Sequence, residues 1–253
     1  MMKKKALIVW GGWMGHDPDQ VANAYKDILE DENFEVEVSN TLDSFKDEEK
    51  LMNLSLIIPC WSHGVITKEQ HEPVIKAVAS GVGLVGCHGG MCDSFHDCMD
   101  WLLMTGGQWV SHPSGQHVKY KVHYVDHESY ITEDQDDFWT TSEQYYLLVD
   151  PSVHVLATTR MPIGKGPFVP SDKVEVDSES TYGTWNFNEK VFDDTQIAKG
   201  PHIGNGIFDM PVMWAKYFGR GRVFYNSLGH SIGNFMEKPN LEVTRKALLW
   251  AAK

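Results

Sequence analysis

Apolar residues in this chain fall in short blocks, each closed by glycines or by a polar stretch suited to starting a helix. Residues 5 to 10 form an apolar run bounded by Gly11-Gly12, the pattern of a buried strand. Asp17-Pro18-Asp19-Gln20 then predicts a helix start, with Asp17 as N-cap, Pro18 in the first turn and Gln20 completing a capping box. Phe34 to Val38 alternates as a second strand, and Ser55 to Trp61 is a third, apolar on both faces. Thr67-Lys68-Glu69-Gln70 is another capping box, whose helix runs to Ser80 and stops at Gly81. Val82 to Cys87 is a fourth strand closed by Gly89-Gly90, and a helix over Asp93 to Met104 ends at Gly106-Gly107.

Strands alternating with helices of this length predict parallel strands with crossover helices. After Gly107 the pattern changes. Val118 to Val125 and Val153 to Thr159 read as strands with no amphipathic helix between them. Residues 161–210 are rich in Gly, Pro, Ser and Asp and lack a sustained period, which marks a long insertion. Strands near Pro211 to Tyr217 and Arg222 to Ser227 bracket a turn at Gly219-Arg220-Gly221, and a last helix covers Asn240 to Ala252. No linker divides the chain, so residues 1–253 are expected to form one α/β domain.

Composition narrows the function classes. The net charge is -13, and the only lysine cluster is Lys3-Lys4-Lys5, so no basic face is offered to nucleic acid or to an anionic membrane. No apolar stretch approaches the length that spans a bilayer, and the first apolar run is too short for a signal-peptide core. Cys60, Cys87, Cys92 and Cys98 include no C-x-x-C pair and fit reduced thiols in the cytoplasm. The sequence leaves a homo-oligomer open.

In open parallel sheets, ligands bind beyond the carboxyl ends of the strands. Four of the 12 histidines fall there: His16 after the first strand, His63 after the third, His88 after the fourth and His230 after the last. His112 follows Gly106-Gly107 and could join them. Any one of these alone reads equally as a surface or core histidine; together they suggest a site. Three imidazoles with an open position suit one divalent metal, zinc or manganese, although no H-E-x-x-H motif is present. His71, His96, His117, His123, His127, His154 and His202 lack this positional support, and Asp93 with His96 reads as a helix cap beside a surface residue. Gly86-Cys87-His88-Gly89-Gly90 has the form of a strand-to-helix elbow with His88 at its apex, one place after the thiol. Glu143 is a candidate general base or metal ligand, against the alternative of a solvated turn residue. Trp10, Trp13, Trp61 and Trp109 lie near strand ends, where flat rings can stack on sugars or simply pack. Neither a dinucleotide fingerprint nor a P-loop is present, so no nucleotide cofactor is expected.

Several short motifs in a fixed order resemble the ThuA-like (trehalose utilisation) family over nearly the whole chain. They are Gly11-Gly12 with His16-Asp17, Gly86-Cys87-His88, Gly106-Gly107-Gln108-Trp109 with His112-Pro113, and Ser142-Glu143-Gln144-Tyr145. Gly219-Arg220-Gly221-Arg222-Val223-Phe224-Tyr225 and Leu228-Gly229-His230 close the series. The resemblance implies a flavodoxin-like three-layer α/β/α sandwich with a mostly parallel sheet, similar to class I glutamine amidotransferases. Those enzymes carry a cysteine at the elbow and an acid just after the second histidine. Here His88 takes the elbow, and Ser231 and Ile232 stand where the acid would be, so thiol amidotransferase chemistry is not expected.

What the resemblance implies is a carbohydrate context: a small-molecule sugar or oxidised (keto) sugar handled by His88, Glu143 and His230 as catalytic groups. From the convergence expected at the strand ends, His88, His112 and His230 would be the metal ligands, and His16, Trp61, His63 and Trp109 the substrate contacts. Isomerisation, epimerisation, elimination or hydrolysis by a metal-bound water would all be open to such a site. The alternative is a non-catalytic carbohydrate-binding or regulatory protein on a degenerate amidotransferase scaffold.

Overall fold

The computed structural model describes residues 3–112, 116–161 and 208–253. In chain order the first half holds β1 (Lys5–Gly12), α1 (Pro18–Asp31), β2 (Glu35–Ser39), α2 (Glu48–Met52), β3 (Leu56–Ser62), α3 (Lys68–Ser80), β4 (Gly83–Cys87), α4 (Gly89–Cys92) and α5 (Met99–Thr105). Then come β5 (Gly107–Ser111), β6 (Val118–Tyr124), β7 (Phe138–Ser142), β8 (Tyr146–Val149), β9 (His154–Met161), β10 (Phe208–Phe218), β11 (Gly221–Asn226), α6 (Ile232–Phe235) and α7 (Lys238–Ala251). The insertion expected at 161–210 lies outside the described residues, apart from ends that belong to β9 and β10.

Nine strands form one sheet in the order β2-β1-β3-β4-β11-β10-β9-β6-β7, and β5 pairs with β8 in a small second sheet. From β2 to β11 the pairs are parallel, in the flavodoxin-like order. From β11 to β7 they are antiparallel. The switch follows from the sequence. Among the described residues, helices lie between strands only in the first half, α7 coming after the last strand, whereas Gly219-Arg220 makes a direct antiparallel return from β10 to β11.

Strand alternation sends side chains to two cores. On one face, Ala6 and Ile8 of β1, Leu56 and Ile58 of β3, and Val85 of β4 pack beneath Val21, Tyr25 and Leu29 of α1 and Val243, Ala247 and Ala251 of α7. On the other, Leu7, Val9, Ile57 and Leu84 pack against Val74, Ala77 and Val78 of α3 and Trp101 of α5. The three layers follow from this two-sided burial.

Two local expectations are corrected. Asp17 stands at the N-cap position of α1 but does not cap it with its side chain: its backbone is left-handed at φ 46, and no side-chain cap bond forms. Its carboxylate instead accepts the Ile232 N–H at 3.1 Å, tying the loop after β1 to the start of α6. The helix expected over Asp93 to Met104 is broken. α4 ends at Cys92 and α5 begins at Met99, with Phe95 at φ 49 between them, so Asp93 follows the end of α4 and does not cap a helix start. The strands β5, β7 and β8 were not legible; each is five residues or shorter and too brief to display a period.

The exit of β11 is fixed by two buried asparagines. Asn226 Nδ2 donates to Asn240 Oδ1 at 2.5 Å, and Asn240 Nδ2 donates to the carbonyls of Asn234 and Phe235, each at 3.1 Å. Asn226 Oδ1 accepts the Leu228 N–H at 2.9 Å, which sets the turn carrying His230. Asn240→Ala leaves these groups buried without partners, and urea melts should show a loss of about 1–3 kcal/mol. A variant as stable as wild type would show that the turn stands without this anchor.

Candidate functional site

Three strands of the parallel half end in histidines that meet. His16 follows β1 and is 7% exposed, and His88 follows β4 and is 1% exposed. His230 follows β11, with a side chain 14% exposed. Ligand atoms of His16, His88, His230 and Glu143 all lie within 4.8 Å of one another, so this buried group could hold a metal ion. The ring centroids of His16 lie 4.6 Å from His88 and 5.3 Å from His230.

His88 sits at the apex of the elbow with φ 49 and ψ -136, a strained conformation for a non-glycine residue, costing about 1–3 kcal/mol. The flanking glycines permit it. A Cβ on Gly86 would lie 2.6 Å from Met91 Cβ, and one on Gly90 would lie 3.0 Å from Cys60 Cα. The strain is held by two hydrogen bonds and a ring stack: the His88 N–H donates to Asn226 O at 2.7 Å, its carbonyl accepts from Tyr225 Oη at 3.0 Å, and its ring stacks on Tyr145 at 4.1 Å.

Glu143 arrives from the other half of the sheet, in the connection between β7 and β8. Every residue of that segment is tied down. Tyr120 Oη donates to the Glu143 carbonyl at 3.0 Å, and Gln144 Nε2 donates to Thr159 Oγ1 at 2.8 Å and Arg160 O at 2.9 Å. Tyr145 lies under His88. The carboxylate is 3% exposed, not the solvated turn residue that the sequence alone left open.

The hydrogen-bond roles can be partly assigned. A carbonyl only accepts, so His88 Nδ1, 2.8 Å from Ser227 O, carries the proton. The neutral ring then directs the Nε2 lone pair at Glu143 Oε2, 3.1 Å away. Burial pulls His88 below the ordinary histidine value, although Glu143 opposes this. His16 is lowered to about 2 by burial and by the neighbouring His88, and its Nδ1 is held at 2.7 Å by Ser62 Oγ. Burial also opposes ionisation of Glu143; hydrogens or positive charge on the facing nitrogens of His230, His88 and His112 outweigh it and hold the carboxyl well below the usual carboxylate range, whereas a lone pair from His88 does not. His230 Nδ1 is buried 3.4 Å from Glu143 Oε2 and makes no hydrogen bond among the described residues. Acceptors therefore face one another around Glu143, an arrangement relieved by a proton or a cation.

The remaining sequence candidates lie around this group. His112 approaches the second oxygen, Oε1, at 3.6 Å, outside the four-residue cluster, while His16 stands within it. Trp109 packs 5.8 Å from His112 and 6.0 Å from Tyr145. Trp61 lies across Gly11, where an added Cβ would fall 2.4 Å from the ring. His63 is half exposed at φ 61, with Nδ1 3.3 Å from Asp93 Oδ1. Asp93 is the residue that sequence reasoning missed: it is buried, receives His96 Nε2 at 2.7 Å, and is pushed up to about 8 by burial and by Glu143. The three-residue spacing to His96 was visible but suggested a helix face. Cys87, buried behind the elbow, is pushed up to about 11 and is unsuited to act as a thiolate.

The sequence profile described as ThuA, trehalose utilisation, matches residues 5–251. No curated protein matches the sequence significantly. Among solved structures, a ThuA-like protein from Bacteroides uniformis superposes with a TM-score of 0.66 at 17% identity, over 98% of this chain and 89% of its own. Another from Parabacteroides merdae gives 0.66 at 14% identity, over 100% of this chain and 91% of its own. A cytoplasmic protein from Salmonella typhimurium gives 0.59 at 12% identity, over 98% and 100%. At these identities the likeness is one of fold.

Imidazoles that stay neutral when buried make the folded state sensitive to acid. His16 ionises near 6.5 when exposed but only near 2 when folded, so its stabilisation is complete above about pH 6.5 and is lost as pH falls below that value. His88 shifts in the same direction. Urea unfolding of chelator-treated protein should give a lower stability at about pH 5.5 than at about pH 7.5, by up to about 1.4 kcal/mol per unit for each such imidazole. Equal stabilities would mean that the folded cluster takes up protons.

Proposed function

The chain belongs to the ThuA trehalose-utilisation family, and from that premise we propose that it is an enzyme acting on a sugar or keto sugar at the cluster of His16, His88, Glu143 and His230. In this reading the imidazoles hold one divalent ion, zinc or manganese. The observation that carries it is the convergence of ligand atoms of His16, His88, Glu143 and His230 within 4.8 Å, with His88 Nδ1 committed to Ser227 O and Nε2 3.1 Å from Glu143 Oε2. Outer nitrogens bonded to a backbone carbonyl and to Ser62 Oγ are the support that metal-bound histidines require, and three imidazoles with a carboxylate fit zinc or manganese. Such an ion would polarise a carbonyl oxygen or make bound water more acidic.

The protein's own groups supply the rest. Ser227 and Tyr145 fix the His88 ring, and the strained elbow keeps it from turning away. Glu143 is the base, taking a proton from carbon beside a carbonyl in isomerisation, epimerisation or elimination, or from water in hydrolysis. Its low pKa comes from contacts with His230, His88 and His112. Imidazoles engaged elsewhere release the carboxylate, and the base strength this role needs returns. Trp109 and His112 line the approach for substrate.

The expected partner is a small-molecule carbohydrate. No nucleic-acid partner is proposed for a chain of net charge -13, and among the described residues no helix is long and apolar enough to cross a membrane. The free thiols Cys60, Cys87, Cys92 and Cys98 suit the cytoplasm. Residues 1–253 are taken as one domain. A non-catalytic sugar-binding protein is the second reading, favoured by the high pKa of Cys87 and by Ser231, whose hydroxyl caps α6 where an amidotransferase acid would stand.

Elemental mass spectrometry on untagged protein should find about one zinc or manganese ion per chain, lost in His88→Ala. Glu143→Gln should reduce turnover of a keto sugar by about 10²- to 10⁴-fold. A wild type that takes up no ion after incubation with either metal would overturn the metal assignment. Sugar binding without any product would establish the second reading.

A further inference from the structure

A second polar group lies beside the cluster. Asp93 sits between α4 and α5 with its side chain 3% exposed, and its Oδ1 meets His96 Nε2 at 2.7 Å and His63 Nδ1 at 3.3 Å. The two imidazoles are 35% and 49% exposed. Each spends one nitrogen on the buried carboxyl and leaves the other, Nδ1 of His96 and Nε2 of His63, for a ligand. The backbone around them is locked: the His63 N–H donates to Asp93 O at 2.6 Å, and His63 and Phe95 both adopt left-handed conformations, at φ 61 and 49. Strain of this kind clusters at binding sites.

Two tryptophans join this group to the first. Trp13, 44% exposed, lies 6.1 Å from His63 and 4.5 Å from His16. Trp109 lies 6.3 Å from His96 and 5.8 Å from His112, which reaches Glu143 at 3.6 Å. His63 and His96, 6.4 Å apart, complete the circuit opposite the cluster. Aromatic and imidazole rings thus form a chain of contacts that links the two polar groups. The Trp109 Nε1–H is buried and unpartnered among the described residues.

We propose that His63, Asp93 and His96 form a second subsite of the same cup that binds hydroxyl groups of the sugar, with Asp93 as the positioning residue that orients both imidazoles. The proposal rests on the sugar reading above. An imidazole braced by a carboxyl accepts from one hydroxyl or donates to another according to its tautomer, which suits a polyol carrying both capacities on each oxygen. Asp93, raised to about 8, can itself offer or accept the shared proton. Trp13 and Trp109 present ring faces and edges to the sugar's C–H surface.

Calorimetric titration of zinc-loaded protein with D-glucose, trehalose and the monodeoxyglucoses tests this, with metal content and thermal melting measured on each variant. The double variant His63→Gln/His96→Gln should bind the hydroxylated sugars about tenfold or more weakly, with its ion content unchanged. At least one deoxyglucose that wild type disfavours should bind the variant as well as glucose does. Asp93→Asn should show the same loss of discrimination, which a purely structural role would not produce. His63→Gln alone, at a half-exposed position, serves if the double variant melts early. Unchanged affinity and discrimination would overturn the subsite and leave the metal cluster standing. A wild type that binds none of these sugars would overturn both the subsite and the sugar reading, with the ion content still reporting on the cluster. A second ion lost from the double variant would replace the hydroxyl assignment with a metal.

Discussion

The arrangement turns on one buried carboxylate. Glu143 is withdrawn from water and meets His88 and His230 through one oxygen and His112 through the other. A charge in that position is costly unless neighbours compensate it, and neutral imidazoles compensate only by sharing hydrogens. The neighbouring structure reads as a set of devices that hold these partners still: the elbow under His88, Ser62 behind His16, the asparagine pair below the turn to His230, and the anchored Gln144 beside Glu143 itself.

The sheet explains why the partners converge. Parallel strands end on one edge, so β1, β4 and β11 deliver three histidines to neighbouring places without any shared sequence motif. β3 and β4 pair only at Leu56 and Ile57 before they part, and α4 enters the opening, with Gly90 close against Cys60. Pro59 has the parity of Ser55, whose carbonyl faces β4, so its missing N–H falls where β3 has no ladder to complete.

Much of this was legible beforehand, and the rest was not for specific reasons. Strand-then-helix alternation in the first half fixes parallel order, and the strand-end rule picks out His16, His88 and His230. Glu143 could be nominated but not placed, because β7 and β8 are too short to announce a turn between them. Asp93 was misread as a cap because its spacing to His96 imitates a helix, and no glycine marks the break that Phe95 makes by turning left-handed. The antiparallel strands β6, β9 and β10 were recognisable as strands, but their partners were set by long-range packing that no local pattern encodes.

The cluster draws its imidazoles and its carboxylate from different halves of the sheet. The wound half contributes three imidazoles, and the meander contributes the one carboxylate from a connection of three residues. Frame and charge are thus separable in descent. Replacing that connection would remove the cluster's carboxylate while the helices and parallel strands remained unchanged. Relatives sharing this architecture at very low identity need not share a reaction, and the residue at position 143 is the place to look for where they diverge.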